Sequence, residues 1–284
     1  AAIENCRKVG MKVCLVPTIL KGVNSDQIGE IFRFAVEHID VVSGISFQPV
    51  AFTGRIDEKE RMAQRYTLGD LAHDLAEATG AVPMRDMFPL SIVVPLAQMF
   101  EALTGKTKIR PSCHTDCAFG TYYLISPEGK PYSFPQVVNV EGMFTDMNRI
   151  AARVKRRRGG QATWLDRLAV LRMFKRHFNP AGAPPGLTLK KFIRSLRGLI
   201  DKNVGRGEGE KSTYKTLLCA GMHFQDRYNF DIERSKRCVI LYSTPGGLFP
   251  FCTYNCGPMY RPMVEQAYGA HRQNDAPVAE GLDQ

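Results

Sequence analysis

Sulfur is the chemistry this chain offers. Its eight cysteines stand at 6, 14, 113, 117, 219, 238, 252 and 256. No run of eighteen apolar residues occurs, and the N-terminus Ala-Ala-Ile-Glu-Asn-Cys has neither the basic start nor the apolar core of a signal peptide. The expected address is therefore cytoplasmic, where thiols stay reduced and serve metals or catalysis more often than disulfides. Cys113 and Cys117, separated by three residues on a loop, can reach one centre together. Cys238 and Cys252 flank an expected β-hairpin, in which Val239 to Tyr242 and Leu248 to Phe251 are strand formers around the turn Pro245-Gly246-Gly247. Cross-strand partners flank a turn symmetrically, so these two thiols should stand within a residue or two of each other. Such a pair is either a disulfide or half of a metal site, and all four together are a plausible thiolate set for zinc or an iron-sulfur cluster. Cys256 and Cys219 are candidates for a second centre or fillers. Cys6 and Cys14 read as small buried hydrophobes. His114 and His223, beside these cysteines, read as hydrogen-bonded core histidines before they read as ligands.

The elements that must carry those loops begin with Met11-Lys-Val-Cys-Leu-Val-Pro-Thr-Ile-Leu20, a near-continuous apolar run expected of a parallel strand buried on both faces. Asn24 and Gln27 form an expected capping pair for a helix whose apolar residues are Ile28, Ile31, Phe32, Ala35 and Val36. Val41 to Phe47 follows as a second strand, parallel to the first. Ligands in such sheets sit beyond the carboxyl ends of the strands, here Lys21 to Asn24 and Gln48 to Arg55. Thr67 with Asp70 opens a further helix that Gly80 ends. Ile92 to Leu103 reads as a helix broken or bent at Pro95. A first hairpin, Thr121 to Ser126 and Tyr132 to Gln136, follows the Cys113 loop.

Charge is unevenly distributed. The formal net charge is +10, yet Arg149 to Lys215 holds 18 Lys or Arg against 4 Asp or Glu. Within it, two basic amphipathic helices are expected, one with the stripe Trp164, Leu165, Leu168, Leu171, Phe174 and Phe178, the other with Leu189, Phe192, Ile193, Leu196 and Ile200. Either the stripes pack on the domain and the charges are solvated, or the segment meets an anionic membrane. Nucleic acid is disfavoured, because the aromatic residues fall on the apolar stripe and not among the charges. With 44% hydrophobic residues the chain can bury a large core.

Several stretches carry a resemblance. Val16-Pro-Thr-Ile-Leu-Lys-Gly-Val-Asn24 with Asp26 to Ile31, then Ile45-Ser-Phe-Gln-Pro-Val50, resemble the second half of the barrel of the radical S-adenosylmethionine superfamily. Ser112-Cys-His-Thr-Asp-Cys117, Gly221-Met-His-Phe-Gln-Asp226, Tyr228-Asn-Phe-Asp231, Arg237-Cys-Val-Ile-Leu-Tyr242 and Pro250-Phe-Cys-Thr-Tyr-Asn255 resemble the branch of tetraether (membrane-spanning lipid) synthases and related radical methylase-like proteins. The resemblance implies an α/β fold: the C-terminal half of a partial parallel (β/α) barrel, then an α+β auxiliary iron-sulfur domain with β-hairpins and basic amphipathic helices. The segments would be 1–60 (barrel), 61–110 (helical connection), 111–147 (cysteine loop and hairpin), 148–217 (basic helices), 218–265 (second cysteine hairpin) and 266–284 (disordered tail). It further implies a 4Fe-4S enzyme that generates a 5'-deoxyadenosyl radical for carbon-carbon coupling or methylation of a lipid-like or small-molecule substrate, fed by an electron-donor protein. Cys113, Cys117, Cys238 and Cys252 match the auxiliary-cluster positions. Gly22, Asn24, Ser46 and Gln48 lie where the family's S-adenosylmethionine sits, and Thr53, Gly54 and Arg55 could face a substrate phosphate. The superfamily motif Cys-x-x-x-Cys-x-x-Cys is absent from this sequence. The chain is accordingly expected to be a fragment, inactive alone. The competing expectation is a zinc-stabilised binding module with the basic segment on an anionic partner.

Overall fold

The computed structural model describes residues 1–81, 83–108, 110–157, 160–200 and 214–269. The strand-helix-strand unit expected at the start of the chain forms. After α1 (Ala2–Lys8) come β1 (Val13–Leu15) and β2 (Thr18–Ile19), then α2 (Ile28–Glu37) and β3 (Val42–Pro49). Both β1 and β2 pair with β3 in parallel. Two expectations fail here. The apolar run 11–20 is split, because Pro17 has no N–H to continue a ladder. It is also an edge among the described strands, with Cys14 and Val16 exposed where burial on both faces was expected. Asn24 does not cap α2 either; a 3-10 turn, Ser25–Gln27, intervenes.

The remaining helices and strands, in order, are α3 (Glu58–Gln64), α4 (Leu68–Thr79), α5 (Pro83–Asp86), β4 (Phe88–Pro89), α6 (Val94–Thr104), β5 (Ala118–Ile125), β6 (Pro131–Ser133), α7 (Phe134–Val137), α8 (Val140–Arg156), α9 (Trp164–His177), α10 (Leu189–Ile200), β7 (Lys215–Met222), α11 (Ile232–Lys236), β8 (Leu241–Thr244), β9 (Gly247–Pro250), α12 (Phe251–Cys256) and α13 (Tyr260–Tyr268). The capping box on α4 is as read: Thr67 Oγ1 accepts from Asp70 N–H, Asp70 accepts from Thr67 N–H, and Gly80 closes the helix in the left-handed conformation. Pro95 lies in the first turn of α6, where its missing N–H costs nothing, so it starts that helix and does not break it.

One mixed sheet runs β1-β3-β7-β5-β4, with β2 on β3 and β6 on β5. The unassigned stretch Lys215–Met222 supplies its central strand, parallel to β3 and antiparallel to β5. The segments 1–60, 111–147 and 218–265 therefore share one sheet, and their expected boundaries do not divide it. Helices α2 and α4 cover one face, burying Phe32, Ala35, Leu71 and Leu75 on Ile45, Phe47, Leu217 and Cys219. A second core joins α6, α8, α9 and α10 around Leu124, Met147, Val154, Met173 and Phe192. Phe192 meets the rings of Phe134, Phe174 and Phe178, and burying a side chain of that size is worth about 2–3 kcal/mol. The stripe read on α9 is divided: Phe174 and Phe178 pack on the second core beside buried Met173, Leu168 is half-buried, and Trp164, Leu165 and Leu171 are exposed. The expected disordered tail 266–284 begins instead inside α13, which runs to Tyr268; residues 270–284, and the side chain of Ile200 in the α10 stripe, lie outside what the structure describes. Among the described residues no helix is long and apolar enough to cross a membrane.

Candidate metal centre

The four thiols gather at the carboxyl ends of the parallel strands. Cys117 ends a 3-10 turn, Thr115–Cys117, immediately before β5, and His114 caps that turn by accepting from Asp116 N–H. Because β5 is antiparallel to β7, the start of one lies beside the end of the other. His223 N–H donates to the Cys117 carbonyl at 2.8 Å and zips them together. The second pair comes from the hairpin. Strands β8 and β9 pair from Leu241↔Pro250 to Thr244↔Gly247, and Phe251 N–H to Ile240 O, 2.9 Å, carries the register outward. Cys238 and Cys252 thus leave the hairpin side by side as expected, but Cys252 sits in the first turn of α12 and not on a strand.

Electrostatics tie the two pairs into one cage. Burial pushes the Cys113 thiol up, and Cys117 and Cys238 push it further. Burial also pushes Cys252 up, with Cys238 and Cys117 adding to it. Arg234 acts on both in the opposite direction. The cage is wider than a single ion requires: no three of these sulfurs lie mutually within 4.8 Å, whereas tetrahedral zinc at about 2.3 Å sets its sulfurs roughly 3.8 Å apart. The all-thiol donor set is the chemistry of an iron-sulfur cluster. Among the described residues, the group that does meet the 4.8 Å limit is His73, Asp74 and Glu77 on the surface of α4, and there Asp74 is engaged by Tyr66 OH.

Two donors are aimed at the sulfurs. Gln225 N–H points at Cys252 Sγ, 3.3 Å, and Arg234 Nε at Cys117 Sγ, 3.4 Å. Beside them, Asp226 is 1% exposed and accepts from Arg65 Nη1 (2.7 Å), Phe52 N–H (3.0 Å) and Tyr228 N–H (2.9 Å). Burial alone would raise the Asp226 carboxyl, but these donors together hold it below the usual carboxylate range. Asn229 Oδ1 takes Asp226 N–H at 2.7 Å, so its Nδ2 faces His223 Nε2 at 3.2 Å, and that nitrogen must accept. Burial, with Arg234 and Arg65, pushes His223 down to about 4, leaving a neutral ring with its proton on Nδ1. His223 is a framework residue here, not a free ligand.

Other expected site residues divide. Cys219 is 0% exposed in the core face of β7, its thiol pushed up by burial with no other cysteine acting on it, so it is a packing residue and not a ligand. Cys256 donates its S–H to the Cys252 carbonyl, one helical turn away; burial, then Cys252 and Asp226, push it up to about 11. It stands at the rim of the cage without coupling to Cys113, Cys117 or Cys238. Cys14, expected to be buried, is exposed on the sheet face opposite α2, aligned with Gly44. Ser46 and Gln48 alternate with buried Phe47 and lie half-buried on that same face. Asn24 is a brace: its Oδ1 accepts from Leu20 N–H and its Nδ2 donates to Thr18 O, both at 2.9 Å, which spends its side chain inside the loop. Gly22 gives its N–H to Ser25 Oγ and supplies the positive φ of the same loop. Thr53, Gly54 and Arg55 are exposed, and the Gly54 carbonyl accepts from Tyr228 OH. Arg65, Gln225 and Arg234 were not read as site residues, since an arginine or glutamine bears no sign in sequence of being buried.

No family model matches the chain. Comparison with curated proteins supports the radical S-adenosylmethionine superfamily, an enzyme class that works with a 4Fe-4S cluster and S-adenosylmethionine, and does not support the lipid-synthase branch. The relative behind this is the 7,8-dihydro-6-hydroxymethylpterin dimethyltransferase of Methanocaldococcus jannaschii, 35% identical over 269 residues. Those residues make up 94% of this chain and 52% of that protein, so the chain spans about half the length of the relative it matches.

Proposed function

We propose that this chain belongs to a radical S-adenosylmethionine methyltransferase acting on a small heterocycle of the reduced-pterin class, and that its thiol cage holds an auxiliary iron-sulfur cluster. The observation that carries this is the convergence of Cys113, Cys117, Cys238 and Cys252 on one cage at the strand ends where α/β sheets hold ligands. Kinship with a pterin dimethyltransferase favours methylation over carbon-carbon coupling, and a heterocycle over a lipid. A cluster in the cage would supply one-electron transfer. The chain's own residues bury Cys113 and half-bury the other three thiols, direct N–H donors at two of the sulfurs and, through Arg65 and Asp226, fasten the loop after β3 beside them. Ser46 and Gln48, half-buried on the sheet face opposite α2, are the residues proposed to meet S-adenosylmethionine. They offer a hydroxyl and an amide, which suits a polar cofactor.

Anaerobic reconstitution tests the cage. The expected product is brown, absorbs broadly near 400 nm and carries about four iron and four sulfide per chain. Colourless protein with one zinc would overturn the proposal in favour of a structural metal module. For the substrate class, 7,8-dihydro-6-hydroxymethylpterin should bind the cluster-loaded chain in calorimetry. Binding of an isoprenoid or fatty-acyl chain in its place would restore the lipid reading.

A further inference from the structure

Arg234 is 6% exposed. A buried guanidinium is costly unless an anion compensates it. Among the described residues no carboxylate lies within ion-pair distance of it. The acids near it in sequence serve other groups: Asp226 pairs with Arg65, Asp231 caps α11 and Glu233 pairs with exposed Lys236. The donors of Arg234 go to Cys117 Sγ, 3.4 Å from Nε, and to the His223 carbonyl, 2.6 Å from Nη2. The arginine is thus placed against the cage and held there by the end of β7.

We infer that Arg234 is the counter-cation of the four-thiol cage and raises the reduction potential of the cluster it holds. This rests on the cluster reading proposed above. A 4Fe-4S core carrying 2+ with four thiolates has a net charge of −2. One electron from a low-potential donor takes it to −3, with no bond made or broken in the protein. A fixed positive charge and an N–H donor on a ligating sulfur both favour the more negative state, so both make the cluster easier to reduce. A merely structural latch between α11 and β7 would affect unfolding and leave the potential alone.

The test is a dithionite titration of the reconstituted full chain, followed by electron paramagnetic resonance, with iron and sulfide assayed on the same samples. Arg234→Gln is expected to shift the midpoint potential to more negative values. Arg234→Lys keeps the charge but loses the Nε fork, so its shift should be smaller and in the same direction. Lys236→Gln, which removes an exposed neighbouring charge, should leave the potential where it is. A fully loaded Arg234→Gln with the parent potential overturns the inference. Should that variant not fold, an unchanged potential in Arg234→Lys overturns it instead. If the unsubstituted chain takes up zinc and no cluster, the cluster reading falls and this inference with it. An unchanged potential in cluster-loaded variants overturns only the role of Arg234.

Discussion

Arg65 and Asp226, 161 residues apart in sequence, meet at 2.7 Å with the carboxylate almost wholly enclosed. Both oxygens of Asp226 face the guanidinium, the second at 3.4 Å. The guanidinium also lies over the Phe52 ring, 4.6 Å from its centre. One carboxylate thereby joins the loop after β3, the end of α3 and the loop after β7 that carries Gln225 and leads to Arg234. The thiol cage is braced from the β3 side of the sheet by this pair.

Asp226→Asn should therefore lower stability by about 3 kcal/mol, because it leaves the largely enclosed Arg65 guanidinium without its anion. Urea unfolding at neutral pH would read this as a lower midpoint with little change in slope. Replacing both residues, as Arg65→Met with Asp226→Leu, should recover part of the loss, since an unpaired buried charge costs more than an absent pair. A single substitution within about 0.5 kcal/mol of the parent would show that the pair is not structurally important.

The cysteines should separate by iron content. Serine at 113, 117, 238 or 252 should cut the iron retained after anaerobic reconstitution and gel filtration to less than half. Cys219→Ala and Cys6→Ser should retain it, as should Cys256→Ser, whose thiol is occupied by the Cys252 carbonyl. Burial raises Cys113 and Cys252, so their thiols are protonated in the empty protein and loading must release those protons. Retention should accordingly weaken as pH falls. Full loading of Cys113→Ser would remove it from the ligand set.

How far the sequence spoke for this arrangement depends on the kind of signal. Hairpin β8–β9 was legible because a Pro-Gly-Gly turn sets register, and register alone puts Cys238 beside Cys252. The α4 cap was legible because Thr67 and Asp70 act within four residues. What could not be read is long-range. Lys215–Met222 looks like the tail of a basic segment, yet it is the central strand, since nothing local says that a short apolar run will be covered on one face by α2 and α4. Val16 and Cys14 read as buried for the same reason. The cost of enclosing Arg234 or Asp226 appears only once their partners are in place.

His223 gives a pH dependence with a definite sign. Its folded value, about 4, lies below the ordinary histidine range near 6.5, so the unfolded chain takes up a proton that the folded one refuses. Stability is full above about pH 6.5 and is lost as pH falls toward 4. The loss is on the order of 2–3 kcal/mol once partial solvent access is allowed for. Denaturation of the cluster-free protein at pH 7.5, 6 and 5 checks this. His223→Gln should flatten the profile, because an amide can accept from Asn229 without titrating. Parallel profiles for the two proteins would show that another group is responsible.

The last prediction concerns α9. Trp164 is 71% exposed and, with exposed Leu165 and Leu171, stands on the outer surface among Arg167, Arg172 and Lys175, which are also exposed. The spacing 164, 168, 171 keeps Trp164, half-buried Leu168 and Leu171 on one side of the helix, while Met173 fixes the opposite side in the core. An outward apolar stripe ending in tryptophan and rimmed by cations is the composition of helices that lie at an anionic bilayer surface. The chain should therefore sediment with vesicles of phosphatidylglycerol, less with phosphatidylcholine, and less at higher salt. Trp164→Ala with Leu171→Ala should weaken sedimentation severalfold while leaving the melting temperature within about 2 °C, because neither side chain belongs to the core. Equal sedimentation with neutral and anionic vesicles, or none with either, would favour the other expectation, in which the charges of 149–215 are simply solvated.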